Sequence, residues 1–158
     1  MIGDLAVLSR VQQTIDSCAA RQERIEVRAM SGPTGESNQL SIYGRGVVLC
    51  LGASSSHAEI QARIARQNGC SPVIIAPGAT SQGSIDGFLP RAALATLSNF
   101  DAVVLWSSAQ DQSAARLALA ARAGAILPLI CERNFDARCR IERHICIDTT
   151  AAGGNATL

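Results

Sequence analysis

The pattern of apolar and polar positions divides the chain into three parts. The central part has continuous apolar runs, and in the two end parts apolar and polar residues alternate. The centre carries four uninterrupted apolar runs, at 47–51, 73–76, 102–106 and 125–130. Such runs are typical of strands buried on both faces, as in a parallel sheet. Segments with helical spacing separate the runs, at 56–69, from Pro90 onward and at 110–123. This alternation predicts a Rossmann-like, doubly wound α/β core with a mainly parallel sheet over 46–138.

Both ends of the chain alternate apolar with polar positions instead, at 25–29, 40–43 and 141–148. A period of two predicts strands with one buried and one solvent-facing side. A loop rich in turn residues joins the first two strands, so residues 25–45 are predicted to form a β-hairpin flap. Residues 139–158 are predicted to add an amphipathic strand and an extended C-terminal tail. The flap strands and this strand are expected to pair into a protruding antiparallel unit.

Three local features complete the predicted order of elements. Residues 1–24 are expected to form an N-terminal helix and linker, since a 3-4-3 apolar spacing runs from 8 to 18 and the helical pattern continues to about Arg21. Ser56 and Glu59 have the spacing of a capping box, which predicts the start of the helix that follows the first buried strand. Residues 78–87 have internal glycines and little periodicity, so they are predicted to be a loop.

The composition excludes some classes of function but does not identify one. The 158 residues are 47% hydrophobic and 17% charged, with a formal net charge of +1, which favours a globular domain and argues against nucleic acid or a membrane surface as partner. All fourteen basic residues are arginine. Without lysine there is neither a Schiff-base amine nor a P-loop. No apolar run has the length of a transmembrane helix, and the six cysteines form no C-x-x-C pair, so a reducing cytoplasm is the expected compartment.

A dinucleotide site is the first chemistry that the fold suggests, and the turn after the first buried strand argues against it. That turn reads LGASSSHAE and has Gly52 where a dinucleotide fingerprint has three glycines. Ser54, Ser55 and Ser56 are predicted to cap the next helix rather than to bind a phosphate. No cofactor-binding residue is therefore predicted.

The sequence signals for a catalytic nucleophile and for a metal site are equally weak. Cys50 lies within an apolar run, and Cys131, beside Glu132 at a strand end, lacks the surroundings of a catalytic thiol, so both are predicted to be structural. His144 and Cys146 share one face of a strand, with Cys139 upstream and His57 remote, which is too few ligands for a structural zinc site. No catalytic or metal-binding residue is predicted.

Three further residues were considered as site candidates. Asp101 begins a predicted strand and Asp86 lies in a predicted loop, so neither has the position of a phospho-acceptor at a strand end. Trp106 ends a strand and either lines a pocket at the carboxyl edge of the sheet or packs in the core.

Two glycine-containing segments carry a family resemblance. The flap loop reads GPTGESN from Gly32, the first buried strand reads VVLCLG, and the chain ends in TTAAGGNATL from Thr149. In this order they resemble the C-terminal domain of the long forms of proline utilization A (PutA), bifunctional proteins with proline dehydrogenase and L-glutamate-γ-semialdehyde dehydrogenase in one chain. Ser37 and Thr157 depart from the family pattern, which usually has a basic residue and a serine there.

The resemblance implies a role without chemistry of its own. It suggests an aldehyde-dehydrogenase-like domain that packs against the semialdehyde dehydrogenase domain of the parent chain and closes its substrate-channelling cavity. FAD and NAD are expected in other parts of the parent, and homo-oligomerisation is an additional expectation. The residues expected at the interface are Gly32, Pro33, Thr34, Gly35, Glu36, Asn38, Thr149, Thr150, Ala151, Ala152, Gly153, Gly154 and Asn155. Small residues in the tail allow another backbone to approach closely.

Two alternatives remain open from the sequence. A small Rossmann-like enzyme or nucleotide-binding module would use the same core and bind NAD, NADP or ATP. A self-contained oligomerisation module would pair the flap with a second copy of itself.

Overall fold

The computed structural model describes residues 5–18 and 22–148, which form two sheets and three α-helices. The helices are α1 Leu5–Ser17, α2 Ser55–Gln67 and α3 Ala109–Ala120. The strands are β1 Arg24–Met30, β2 Glu36–Gly44, β3 Val47–Leu51, β4 Ser71–Ala76, β5 Ile85–Asp86, β6 Ala102–Leu105, β7 Leu129–Ile130 and β8 Arg140–Asp148. Two short 3₁₀ helices are Arg91–Ala95 and Asp136–Cys139. None of the described helices combines the length and the apolarity that a bilayer crossing requires.

The larger sheet is parallel, with the strand order β5-β4-β3-β6-β7. Alternate residues of β3 contribute to two hydrophobic clusters on opposite faces. Leu49 packs in the cluster that includes Val11 of α1 and Leu119 of α3, and Cys50 packs in the cluster that includes Ala62 of α2. Helices therefore cover both faces, which confirms the prediction of a Rossmann-like, doubly wound α/β fold.

The smaller sheet is antiparallel, with β2 between β1 and β8. β1 and β2 form a hairpin, and β8 pairs with β2 along nine residues, from Glu36 opposite Asp148 to Gly44 opposite Arg140. This three-stranded sheet is called the flap below. Its two outer strands have no further strand beside them in the described part of the chain.

Four helices or strands differ from the sequence prediction. The apolar run at 125–130 yields only the two residues of β7, because Pro128 has no N–H to give to a sheet and Ile126 is 98% exposed. The stretch 78–87 contains β5, a two-residue strand too short to show a period. Helix α1 ends at Ser17 rather than near Arg21, and the segment after Pro90 is a 3₁₀ helix.

The cap of α2 also differs. Ser54, and not Ser56, is the N-cap residue, and its hydroxyl accepts a hydrogen bond from the backbone N–H of His57. Three consecutive serines offered the same cap chemistry, and the extended backbone of Ser54 decided between them.

Candidate functional site

The tip of the flap gathers the first half of the predicted interface. Residues 31–35 turn the chain from β1 into β2, and the Glu36 N–H donates to the Pro33 carbonyl at 3.1 Å. Gly35 has a positive φ of 95°, which a side chain would strain. A Cβ on Gly32 would lie 2.3 Å from Nδ2 of Asn38, whose amide donates to Glu36. The GPTGESN segment is therefore a compact turn with a local structural explanation.

The second half of the predicted interface cannot be placed. Asp148 pairs with Glu36, so the last described residue of the chain lies beside the flap tip. The predicted tail residues, from Thr149 to Asn155, lie outside the described residues.

One side of the flap exposes apolar side chains on its two outer strands, β1 and β8, with Ser37, Gln39 and Ser41 of β2 between them. The strand register places Ala29, Gln39 and Ile145 in one row, with Val27 and Ile147 on the same side. We call Val27, Ala29, Ile145 and Ile147 the apolar flap face. Val27, Ile145 and Ile147 are 41%, 51% and 55% exposed. The expectation that β8 has one buried side is therefore wrong for the described part of the chain, where almost all of its residues are exposed.

The opposite side of the flap carries charges on its outer strands. Glu26 and Arg28 form an exposed ion pair of 2.6 Å there, and Glu142, His144 and Asp148 lie on the same side of β8. Leu40 and Ile42 of β2 lie between them, so both sides of the flap combine apolar and polar side chains.

A network of hydrogen bonds joins the flap to the α/β core. Asn68, which is 1% exposed, accepts from Nε of Arg140 at 2.7 Å and donates to Asp136 at 2.9 Å. The Arg45 backbone N–H donates to the Cys139 carbonyl at 2.8 Å. Gly44 lies so close to the turn after α2 that a Cβ there would be 2.0 Å from the Gly69 carbonyl oxygen. The base of the flap is therefore firmly attached to the core, while Val27, Ile145 and Ile147 of its apolar face are exposed among the described residues.

Side chains fill the carboxyl edge of the parallel sheet, where a dinucleotide would lie in this type of fold. The switch point falls between β3 and β6. There the Trp106 ring packs edge-on against His57, with centroids 6.0 Å apart, and its indole N–H donates to the Glu132 carbonyl. The Arg133 guanidinium lies 4.2 Å from the centre of the same ring. Trp106 is 7% exposed, so of the two roles left open by the sequence it has the packing role.

The glycine and serines of this edge also have structural roles. A Cβ on Gly52 would lie 2.4 Å from the backbone nitrogen of Ala58, so glycine is needed for α2 to approach β3. The Ser54 and Ser108 hydroxyls occupy the N-termini of α2 and α3 as caps. The Asp86 and Asp101 carboxylates accept from the backbone N–H groups of Gly78 and Val47, each at 2.7 Å.

The candidate nucleophiles and metal ligands do not form a site in the described part of the chain. Burial raises the pKa of Cys50 and of Cys131, which keeps both as neutral thiols. His144 and Cys146 are exposed on the flap, whereas Cys139 is buried at its base. Among the residues that the structure describes, no three metal-ligating side chains come together.

Sequence reasoning missed Asn68, Arg140 and Arg45, which form the junction between core and flap. An Asn-Gly pair at the end of a helical pattern was a visible signal for a helix end. It gave no indication that the asparagine side chain would contact residues about 70 positions further along the chain.

A shallow cavity of about 480 Å³ lies away from the flap, at the end of α3. Arg116, Leu119 and the segment 124–129 contribute to its wall.

Comparison with known proteins supports the resemblance to PutA. No family model matches the chain. The bifunctional protein PutA of Salmonella typhimurium is 30% identical over 83% of this chain, an alignment that spans 11% of the length of that relative. Crystal structures of PutA, including one of a Bradyrhizobium japonicum mutant, are 28% identical and cover 68% of this chain and 13% of theirs, each with a TM-score of 0.52.

A more distant structure shares the fold. The aldehyde dehydrogenase KauB from Pseudomonas aeruginosa is 13% identical, covers 80% of this chain and 29% of its own, and has a TM-score of 0.53. The predicted resemblance is confirmed: this chain is related in sequence and in fold to one part of PutA, and it shares its fold with part of the aldehyde dehydrogenase KauB.

Proposed function

Starting from that relationship, we propose that the chain is a non-catalytic domain of a cytoplasmic, PutA-type proline-catabolic protein. In this proposal it packs against the semialdehyde dehydrogenase domain of the parent chain and closes the cavity through which the intermediate travels. The observation that carries the proposal is the apolar flap face, which is uncovered in the described residues and adjoins the flap tip.

The energetics of the flap favour a covering partner. Half-exposed Val27, Ile145 and Ile147 lie on a small sheet, and each would gain roughly 1 kcal/mol or more from full burial. In the described part of the chain, the outer strands β1 and β8 also have no neighbouring strand along their outer edges, and natural proteins usually shield such edges. A partner surface that covers this face would satisfy both needs.

Two features of the described residues support a structural role: side chains fill the nucleotide position, and the candidate thiols are protonated. Trp106, His57 and Arg133 fill the switch point where the fold would hold a nucleotide. The thiols of Cys50 and Cys131 have raised pKa values, which disfavours the thiolate that aldehyde oxidation requires. FAD and NAD would be bound by other parts of the parent.

The proposed mechanism is confinement. A reactive aldehyde that forms at one active site reaches the next only if it does not escape into water first. A domain anchored at the base of its flap, with its apolar face held against the dehydrogenase, would act as a wall that slows escape without taking part in a bond change.

The test uses the full-length protein that carries this domain. Ile145→Asp and Ile147→Asp place a carboxylate in the proposed contact, and Ile126→Asp is the matched control, since Ile126 is exposed but remote from the flap. The flap variants should lengthen the lag before NADH appears from proline and increase capture of the intermediate by an amine trap. Proline oxidation itself should be kept. Unchanged lag and capture, or the same change in Ile126→Asp, would reject the proposal.

The same exposed face favours one second candidate, a self-contained oligomerisation module. In that case the apolar flap face would be covered by another copy of the chain. Sedimentation of the 158-residue chain separates the two functions: a monomer at micromolar concentration supports a wall that needs its parent, and a dimer that Ile147→Asp dissociates supports self-association.

A further inference from the structure

Three cysteines that are far apart in the sequence meet at the base of the flap. Cys50 lies on β3, Cys70 precedes β4 and Cys139 immediately precedes β8. All three pack in the same buried cluster and all three are free thiols. They stand beside the hydrogen bonds through which Arg45 and Asn68 attach the flap.

Two of these cysteines are in direct contact. The Cys70 thiol donates a hydrogen bond to the backbone carbonyl oxygen of Cys139 at 3.2 Å. The Arg45 backbone N–H donates to the same carbonyl at 2.8 Å. Cys70 is 7% exposed and Cys139 is fully buried, so only a small reagent can reach the pair in the folded protein.

The surroundings give the two sulfurs different chemistry. Interaction with the Cys139 side chain, and then with the backbone N–H groups of Arg45 and Gly46, lowers the pKa of Cys70 below its ordinary value despite partial burial. The same interaction and burial raise the pKa of Cys139, and burial raises the pKa of Cys50. Cys70 is also the most exposed of the three, so it is the sulfur that a small reagent reaches first. Cys139, which Cys70 contacts, is the partner that can resolve an oxidised Cys70, and Cys50 is a bystander.

We propose that Cys70 and Cys139 form an oxidation site, at which a small hydroperoxide converts the two thiols into a disulfide. The Cys70 thiolate attacks the terminal oxygen of the peroxide, the O–O bond breaks, and the leaving oxygen takes up a proton. The Cys139 sulfur then attacks the resulting Cys70 sulfenic acid and displaces its hydroxyl as water. For hydrogen peroxide, the two thiols lose two electrons and two protons, the peroxide takes up both, and two molecules of water are formed.

The disulfide between Cys70 and Cys139 would lie at the junction between the core and the flap. It would link the turn between α2 and β4 covalently to the first residue before β8, across the junction between core and flap. Oxidation would thus restrict movement of the flap base by a covalent bond where hydrogen bonds alone hold the reduced form.

The test begins with a variant of the full chain in which Cys18, Cys131 and Cys146, the partly or fully exposed thiols, are replaced by serine. Dilute hydrogen peroxide should reduce the number of titratable thiols in denaturant from three to one. Proteolysis should yield one linked peptide pair, containing Cys70 and Cys139, with the mass of two hydrogens missing. The oxidised form should melt several degrees higher.

Single replacements assign the roles. Cys139→Ser should leave a sulfenic acid on Cys70 that a dione probe captures, Cys70→Ser should abolish capture, and Cys50→Ser should leave the disulfide unchanged. Circular dichroism checks that each variant is folded. The proposal is overturned if three thiols remain after peroxide treatment, or if the linked pair contains Cys50; the peptide map of the three-cysteine chain gives this result even where a single variant fails to fold.

Discussion

Asn68 accepts a hydrogen bond from Arg140 at 2.7 Å, and this contact joins the end of α2 to the first residue of β8. The same amide donates to the Ile64 carbonyl and to Asp136, each at 2.9 Å. A single buried side chain thus connects the helix, the 3₁₀ segment and the flap. Because the amide is buried, removing it would leave the groups of Arg140 and Asp136 that bond to it without this partner.

We expect Asn68→Ala to destabilise the isolated chain by about 2–3 kcal/mol, since three hydrogen bonds are lost and partly buried partners remain unsatisfied. Urea unfolding followed by circular dichroism measures the change. Asn38→Ala is the control, because Asn38 is only partly buried at the flap tip and its amide donates to the exposed side chain of Glu36. Equal effects of the two variants would show that the Asn68 network contributes little.

For Gln61 we expect the opposite effect of a substitution, a gain in stability. Its side chain is fully buried, and neither of its polar atoms has a hydrogen-bond partner among the residues that the structure describes. Gln61→Met keeps the length of the side chain and removes the unsatisfied groups, so we expect a gain of about 1–2 kcal/mol in the free energy of unfolding.

The matched control for this change is Gln12→Met. The Gln12 amide donates to Asp16 and accepts from the backbone N–H of Ser98, so its replacement should reduce stability. A loss of stability in Gln61→Met would mean that the Gln61 amide is satisfied in solution, for example by a buried water.

Arg91 and Asp111 provide a pH-dependent contribution to stability. Two hydrogen bonds, of 2.9 and 2.8 Å, join the guanidinium to the carboxylate, and both side chains are largely buried. The pair lowers the pKa of Asp111 below its ordinary value of 3.8. Since the folded pKa is the lower one, the contribution is present in full above pH 3.8 and is lost as the pH falls towards the folded value.

Asp111→Asn should therefore reduce stability by about 1–3 kcal/mol at neutral pH, and the difference from the unmodified chain should shrink below pH 4. Thermal unfolding from pH 2.5 to 7 measures both parts. The exposed pair of Glu26 and Arg28 serves as the comparison, and Glu26→Gln should have a smaller effect throughout. A difference that is constant with pH would contradict the assignment.

Nucleotide binding is tested by direct titration. Trp106 is the single tryptophan and lies at the switch point, so its fluorescence reports on that position. We expect neither saturable heat nor a fluorescence change when NAD, NADP or ATP is added to the isolated chain. Saturable binding of any of them would favour the nucleotide-binding alternative over the structural one.

The core was predictable because β3, β4 and β6 are buried on both faces and their composition shows it. The length of strand β7 was overestimated because Ile126 and Leu127 are as apolar as the residues of a buried strand. Pro128 nevertheless prevents regular pairing of this segment. The hairpin of β1 and β2 followed from local alternation. That β8 would pair with β2, and not with β1, depends on contacts between opposite ends of the chain, which a local pattern does not encode.

The site was less predictable than the fold. The flap tip was identified from its motif, and its turn residues do contact one another. The uncovered state of Ile145 and Ile147 was not expected, since an alternating strand normally indicates one buried side. The meeting of Cys70 with Cys139 likewise arises only from tertiary structure, because no sequence spacing relates the two.

The central position of β2 has a consequence for biosynthesis. The hairpin of β1 and β2 leaves the ribosome roughly a hundred residues before β8, which completes the sheet. Until then one border of β2 remains open to any extended polypeptide nearby, so a nascent chain that stalls before residue 140 is the form most prone to aggregate.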